Sequence, residues 1–321
     1  MPEKAGKHWS SQTTASLKIS ELPRSELVRT LRRGELLLDL SPFVARVKSD
    51  IETLADDIHA MYADFKVLTP DRFSDFHVDV SREAGFARWF KPGAVFKADG
   101  RPFFVPLTLG QAFACLEWGL NWCITATMHN FLVMHAAVIE RGGKCAIMPA
   151  PPGSGKSTLC AGLVMRGWRL LSDELALYDI DSGLVYGMAR PINLKNASIE
   201  VIRKFAPHAI LTKPVPNTSK GTVALLRPPQ QSVLRVREPA QPAWVVLPNY
   251  QSNAQANMLP QGKSETLMLL AEQTFNYHIH GLRGFDGICK MLDTADCFRF
   301  SYSSLDDADA AFSALLGRQS K

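Results

Sequence analysis

Apolar residues are spaced differently in the two parts of the chain, and the spacing predicts most of the elements. Residues 1–20 are polar and read as a solvated tail. Arg24 to Arg33 predicts a short helix stopped by Gly34, and Glu35 to Leu40 a strand. Ile51, Leu54, Ile58, Met61 and Phe65 recur at helical spacing, with Asp50 as N-cap and Pro70 beyond the end. From Phe76 to Leu107 the pattern alternates, with Gly100 in a turn, and predicts β-hairpins. Thr108 then caps a helix in which Phe113, Leu116, Leu120 and Ile124 share a face. No internal repeat is visible. A boundary near His129 divides the chain into an N-terminal α+β region, residues 1–128, and a second domain, residues 129–321.

Beyond that boundary, Phe131 to Ile139 and Lys144 to Met148 predict strands joined at Gly142-Gly143. A glycine-rich loop follows, then a helix to about Arg166, ended by Gly167, and a strand from Trp168 to Ser172. Leu175 to Ile180 and Leu184 to Met188 flank Asp181-Ser182-Gly183 as a hairpin. Leu211 to Thr222, with Lys213, Pro214, Pro216 and Lys220, reads as a long loop, either a lid or a surface connection. Trp244 to Leu247 predicts a buried strand. Ser304 caps a last helix with Phe312, Leu315 and Leu316 inward. The expected class is α/β of mixed α+β character, with the glycine-rich loop in its middle.

Composition narrows the picture. At 46% hydrophobic and 21% charged residues, the 321-residue chain can bury a sizeable core. A formal charge of +5 suits anionic small molecules but is no nucleic-acid stripe. The six cysteines have apolar neighbours and no C-x-x-C spacing, so they predict reduced core residues, no zinc site and a cytoplasmic setting. No secretory signal is visible in the first twenty residues. Ala112 to Met128, the most hydrophobic stretch, contains Glu117 and Asn121, so a buried helix is expected and not a membrane span.

The chemistry concentrates at Ala150-Pro151-Pro152-Gly153-Ser154-Gly155-Lys156-Ser157-Thr158. This is Walker A spacing with Ala in place of the first Gly. Gly153 and Gly155 let backbone N–H groups around Ser154 converge on phosphate oxygens. Lys156 is placed to reach the β- and γ-phosphates, Ser157 to hold Mg²⁺, and Thr158 to continue the helix whose positive end faces the anion. Asp173 and Glu174 close the next strand. If that strand runs parallel to the one before the loop, both end on the edge beside the phosphates. There one carboxylate can bind Mg²⁺ and the other accept a proton. A strand-end salt bridge is the plain alternative. His135 lies in an apolar strand, where a lone histidine is usually a satisfied core residue.

Three pieces in order resemble the catalytic domain of HPr kinase/phosphorylase, which has the phosphoenolpyruvate-carboxykinase-like fold. They are His135-Ala136-Ala137-Val138-Ile139, Gly153-Ser154-Gly155-Lys156-Ser157, and Arg166-Gly167-Trp168-Arg169-Leu170-Leu171-Ser172-Asp173-Glu174. The resemblance covers His135 to Asp179. It implies that Lys156 and Ser157 handle nucleotide and Mg²⁺, that Asp173 activates a serine hydroxyl, and that Glu174 helps bind metal. It also implies that His135 belongs to the active site. Glu174 stands where the family has a second aspartate. The family's Arg-Gly signature is absent at its usual distance; Leu282-Arg283-Gly284 lies far downstream and receives no role. These departures take HPr itself and the reverse phosphorylase reaction out of the expectation. They leave a resemblance to the divergent HPr-kinase-related group, which includes tailoring kinases of peptide natural products and tends toward homo-oligomers.

The expected function is therefore transfer of a γ-phosphate from ATP or GTP, with Mg²⁺, to a serine-type hydroxyl of a protein or peptide. A small-molecule kinase on the same fold and a nucleotide-gated module without transfer are the alternatives. Arg190 and Lys195 are candidates for stabilising the transferring phosphoryl group, or else solvated charges at a strand end.

Overall fold

The fold was obtained as a computed structural model that describes residues 17–83, 92–151 and 153–318. The first region opens with α1 (Arg24–Arg33), β1 (Leu36–Asp39), β2 (Val44–Lys48) and α2 (Glu52–Met61). It continues with β3 (Phe76–Arg82), β4 (Gly93–Ala98), β5 (Arg101–Pro102), β6 (Leu107–Thr108) and α3 (Ala112–Thr127). The helix before Gly34 and the turn at Asp99-Gly100 lie where the apolar spacing puts them. β1 to β4 form one sheet in sequence order, antiparallel except for the parallel β2–β3 pair.

Two expectations fail here. Residues 17–20 are not a solvated tail, because Ile19 is fully buried and its N–H donates to the Phe65 carbonyl at 2.9 Å. Residues 1–16 of that expectation, and 84–91 of the alternating segment, lie outside the described residues. Asp50 does not cap α2. Its Oδ1 accepts the Arg82 N–H at 2.8 Å, and Ser49 Oγ accepts the Ile51 N–H at 3.0 Å, so the strand end wins the carboxylate.

Helix α3 is buried on nearly every side. Gly119 lets it lie against the sheet, since any Cβ there would enter the Phe96 ring. Thr108 does not stand at the N-cap of α3: it opens the 3₁₀ turn Leu109–Gln111 that leads into the helix, its N–H donating to Gln111 Oε1 at 3.1 Å, and Gln111 takes the N-cap position of α3. Among the described residues no helix is long and apolar enough to cross a membrane.

The second region is built on a sheet that includes β7 (Leu132–Arg141), β8 (Lys144–Pro149), β9 (Arg169–Ser172), β10 (Leu175–Asp179) and β11 (Leu184–Tyr186). Helix α4 (Lys156–Met165) connects β8 to β9. β12 (Ile192–Lys195), α5 (Ala197–Phe205), β13 (Val215–Thr218), β14 (Gly221–Leu226) and α6 (Gln230–Leu234) follow. The chain then forms β15 (Gln241–Tyr250), β16 (Asn257–Pro260), α7 (Lys263–Glu272), α8 (Tyr277–His280), α9 (Leu282–Thr294), β17 (Asp296–Tyr302) and α10 (Leu305–Arg318). The strand order is β11-β10-β7-β8-β15-β17-β16, with β9 also on β7. β15 is parallel to both β8 and β17, which buries it on both faces and explains its continuous apolar run.

β8 and β9 are each antiparallel to β7, and so share a direction and finish on one edge of the sheet, with β7 between them. That is the expected arrangement for loop and acids. By contrast, Leu211 to Thr222 is not a long loop. Val215 pairs with Val223 and Thr218 with Gly221 in a hairpin closed at Gly221, and β14 also pairs with β12. Pro214 and Pro216 obscure the strand pattern because only the outer strand can hold them. Ser304 Oγ accepts the Asp307 N–H at 3.3 Å at the start of α10.

The core of the first region does not stop at residue 129. Leu27, Leu38, Tyr62, Phe113 and Leu120 belong to one apolar cluster with Val133, Leu175, Leu177, Met188, Leu225 and Val233. The cysteines are all unpaired, five buried and Cys289 half-buried. The architecture is mixed α+β with mixed-direction sheets.

Candidate functional site

The loop after β8 borders a cleft of about 520 Å³. Gly153 (φ +90°) and Gly155 (φ +88°) are both left-handed, as a backbone curling around a ligand requires; Pro152 lies outside the described residues. Gly155 is pinned from behind. Tyr302 Oη donates to its carbonyl at 3.0 Å, and the Tyr250 N–H donates to the Ser154 carbonyl at 3.0 Å. A Cβ on residue 155 would lie 2.5 Å from Tyr302 Oη and 2.9 Å from the Tyr250 Cβ. The two tyrosines are register partners on β15 and β17, with rings 5.7 Å apart edge to face. They shape the loop, and their separation in the chain kept them out of any local reading.

Lys156 opens α4, with Ser157 and Thr158 half-buried on the cleft wall. Lys156 is only 8% exposed, and its Nζ has no hydrogen-bond partner; the buried Ser154 Oγ has none either. Burial pulls the Lys156 ammonium down to about 8, against the attraction of Asp173 and Glu174. A buried, unpaired cation is costly. An anion bound in the glycine cradle at a helix start would remove that cost, so the residues present fit a phosphate group.

Across the cleft, β9 delivers Asp173 and Glu174. Asp173 is 8% exposed, and its Oδ2 accepts the Asn193 N–H at 3.0 Å. Burial first, then the neighbouring Glu174 charge, raise its carboxyl to about 7. Glu174 moves the other way. Burial opposes its charge, but the positive neighbours, Lys220 first and then Lys195, with Lys156 also contributing, outweigh burial and lower it. One carboxyl thus exchanges its proton near neutral pH and the other stays ionised, a split that suits distinct proton-transfer and metal roles.

Its Oε2 accepts from Asn121 Nδ2 at 2.7 Å, and Oε1 lies 3.8 Å from Lys220 Nζ. Ser157 and the two acids are hard oxygen donors of the kind Mg²⁺ takes. Among the described residues no group of three or more His, Cys, Asp or Glu side chains could hold a metal alone. The set therefore suits an ion that completes its shell with phosphate oxygens and water.

His135 also lines the cleft and is half-buried, so it is not simply a core residue. Its backbone N–H donates to the Gln273 carbonyl at 2.7 Å, and its Nδ1 lies 3.3 Å from Gln273 Oε1. Burial and the Lys156 charge lower its pKa, favouring neutral imidazole.

Lys195, at the end of β12, reaches the cleft, but Arg190 does not. Arg190 is buried away from it, 3.3 Å from Glu117 Oε2, with Nη2 donating to Asn121 Oδ1 at 2.5 Å. It is neither a solvated strand-end charge nor a cleft cation. Ala189 before it is left-handed at φ +49°, and Asn196, which lines the cleft, at φ +52°. Such strain in non-glycine residues persists only where the surroundings enforce it, often at ligand sites. Arg283 pairs with Asp181 at 2.6 Å on the exposed surface.

Of the residues with roles predicted from sequence, Gly153 to Thr158, Asp173, Glu174, His135 and Lys195 share one cleft, and Arg190 lies outside it. Asn193, Asn196, Tyr250 and Tyr302 join them, and Asn121 and Lys220 hold Glu174 from the side. No protein-family model matches the chain, and no curated protein matches it.

Proposed function

We propose that the chain is a Mg²⁺- and ATP- or GTP-dependent kinase that phosphorylates a serine-type hydroxyl of a protein or peptide. In this reading its second region is a phosphoenolpyruvate-carboxykinase-like P-loop domain. One observation carries it: the unpaired, buried ammonium of Lys156, in a left-handed glycine cradle, lines one cleft together with buried Asp173 and half-buried Glu174.

The loop N–H groups and Lys156 bind the triphosphate, and Lys156 offsets charge on the γ-phosphoryl group as it transfers. Ser157 and Glu174 would hold the metal, which would shield phosphate charge. Asp173 accepts the proton of the acceptor hydroxyl as its oxygen bonds to the γ-phosphorus, the bridging P–O bond breaks and the nucleoside diphosphate leaves. A carboxyl near 7 is matched to that task at neutral pH. His135 and Lys195 border the same space.

The test incubates the full chain with Mg²⁺-ATP and serine-containing peptides, followed by mass spectrometry and nucleotide turnover. Peptide gaining one phosphate, in step with ATP consumed, is the expected result. Lys156→Ala should lower transfer by about 10²–10³-fold with circular dichroism unchanged. Phosphate on free amino acids or sugars alone would assign the small-molecule reading. Nucleotide binding with no phosphorylated product would assign the gated module.

A further inference from the structure

The strongest unexplained feature is what surrounds Glu174. Among the described residues, both of its polar side-chain partners are held by the first region, and α3 is the element that holds them. Asn121, on α3, donates to Glu174 Oε2 at 2.7 Å. Lys220, at the tip of the β13–β14 hairpin, lies 3.8 Å from Oε1 with its ammonium 5.1 Å from the centre of the Trp118 ring, also on α3. The 3₁₀ turn leading into α3 holds the same hairpin, since Gln111 Nε2 donates to the Asn217 carbonyl at 3.4 Å.

Asn121 is itself fixed. Arg190 Nη2 donates to Asn121 Oδ1 at 2.5 Å, and this determines which end of the amide faces Glu174. Arg190 in turn lies 3.3 Å from Glu117 Oε2, while Oη of Tyr62, the residue that follows α2, donates to Glu117 Oε1 at 2.5 Å. Tyr62, Glu117 and Arg190 are each more than nine-tenths buried. A chain of hydrogen bonds and charges, buried at Tyr62, Glu117 and Arg190 and half-buried at Asn121, therefore runs from the end of α2 through α3 to the acid.

We propose that Asn121 is a positioning residue for the Glu174 carboxylate, so that the first region completes the metal side of the site. Without Asn121 the Glu174 carboxylate would be held on one side only and free to turn toward Lys220. The amide donor keeps Oε2 directed, and the Arg190–Glu117–Tyr62 chain prevents the amide from flipping. The proposal rests on the metal role given to Glu174 above.

The experiment measures Mn²⁺ affinity of the full chain, saturated with a non-hydrolysable ATP analogue, from the free-Mn²⁺ resonance. Analogue affinity in EDTA is measured in parallel. Glu174→Gln is the reference variant. Asn121→Asp keeps the size and the acceptor for Arg190 but removes the donor to Glu174; Asn121→Ala removes both. Asn121→Asp and Asn121→Ala should each weaken Mn²⁺ by about 10–100-fold and leave metal-free analogue affinity within twofold. Equal loss of Mn²⁺ and metal-free analogue binding would mean a merely structural role and overturn the proposal. Weakening by Glu174→Gln with neither Asn121 variant affected would overturn it while leaving the metal role of Glu174 intact. No weakening by Glu174→Gln would remove that role and the proposal with it. If Asn121→Asp does not fold, Asn121→Ala decides by the same criteria.

Discussion

Asp173→Asn should stabilise the ligand-free protein at alkaline pH while abolishing transfer. The Asp173 carboxyl is raised from 3.8 to about 7, chiefly by burial. In the unfolded chain it ionises near its ordinary value; in the fold it keeps its proton until about pH 7. Ionising it costs the fold about 1.4 kcal/mol for each pH unit between those values. The cost is absent below pH 4, about 1–2 kcal/mol at pH 5, and levels off near 4 kcal/mol above pH 7. Because Glu174 shares in the shift, the gain from removing one charge is about 2–4 kcal/mol. Asparagine has the same shape, carries no charge and still accepts the Asn193 N–H. At about 2 °C per kcal/mol for a chain of this size, the variant should melt about 4–8 °C above wild type at pH 8.5. The two should converge by pH 4. Differential scanning fluorimetry at pH 4, 5, 7 and 8.5, without nucleotide or divalent metal, measures this. Equal melting temperatures at pH 8.5, or a variant that melts lower there, would refute a buried carboxyl held toward neutrality.

Two further outcomes follow from the same cleft. Gly155→Ala forces a Cβ against Tyr302 Oη at a left-handed φ of +88°, so it should cost about 1–3 kcal/mol of stability and abolish nucleotide binding. Adding Tyr302→Phe should recover part of the stability, because the nearest clashing atom is gone; melting curves of the single and double variants read this, and no recovery would mean the tyrosine does not pin the loop. His135 should titrate below 6.5 in the ligand-free protein, and its midpoint should rise in Lys156→Ala, because the Lys156 charge contributes to the depression. Imidazole proton resonances followed from pH 4 to 8 provide the check, and a wild-type midpoint at or above 6.5 would refute it.

What could be read from residues alone was local. The helix before Gly34, the loop between β8 and α4, and the acids closing β9 each announce themselves within about ten positions. The shared direction of β8 and β9 follows from chain connectivity. What escaped depends on pairing across the chain. Tyr250 meets Tyr302 only because β15 and β17 run parallel in register. Asn121 on an apolar helix looks like an interruption until β9 brings Glu174 to it. Arg190 reads as a strand-end charge because its partner Glu117 lies on another element. Asp50 is a good cap by type, but the Arg82 N–H claims it through tertiary structure.

The apolar cluster that unites Leu27 and Phe113 with Leu175, Leu225 and Val233 has a consequence for biosynthesis. The first region leaves the ribosome ahead of residues that complete its interior. At about 5–20 residues per second, the stretch from residue 129 to Val233 takes roughly 5–20 s to synthesise. Until each of them emerges, the nascent first region lacks the Met188, Leu225 and Val233 side chains that close over its apolar side. A chain ended shortly after residue 129 would leave that apolar side open to water, so the first region's interior is completed only by the second.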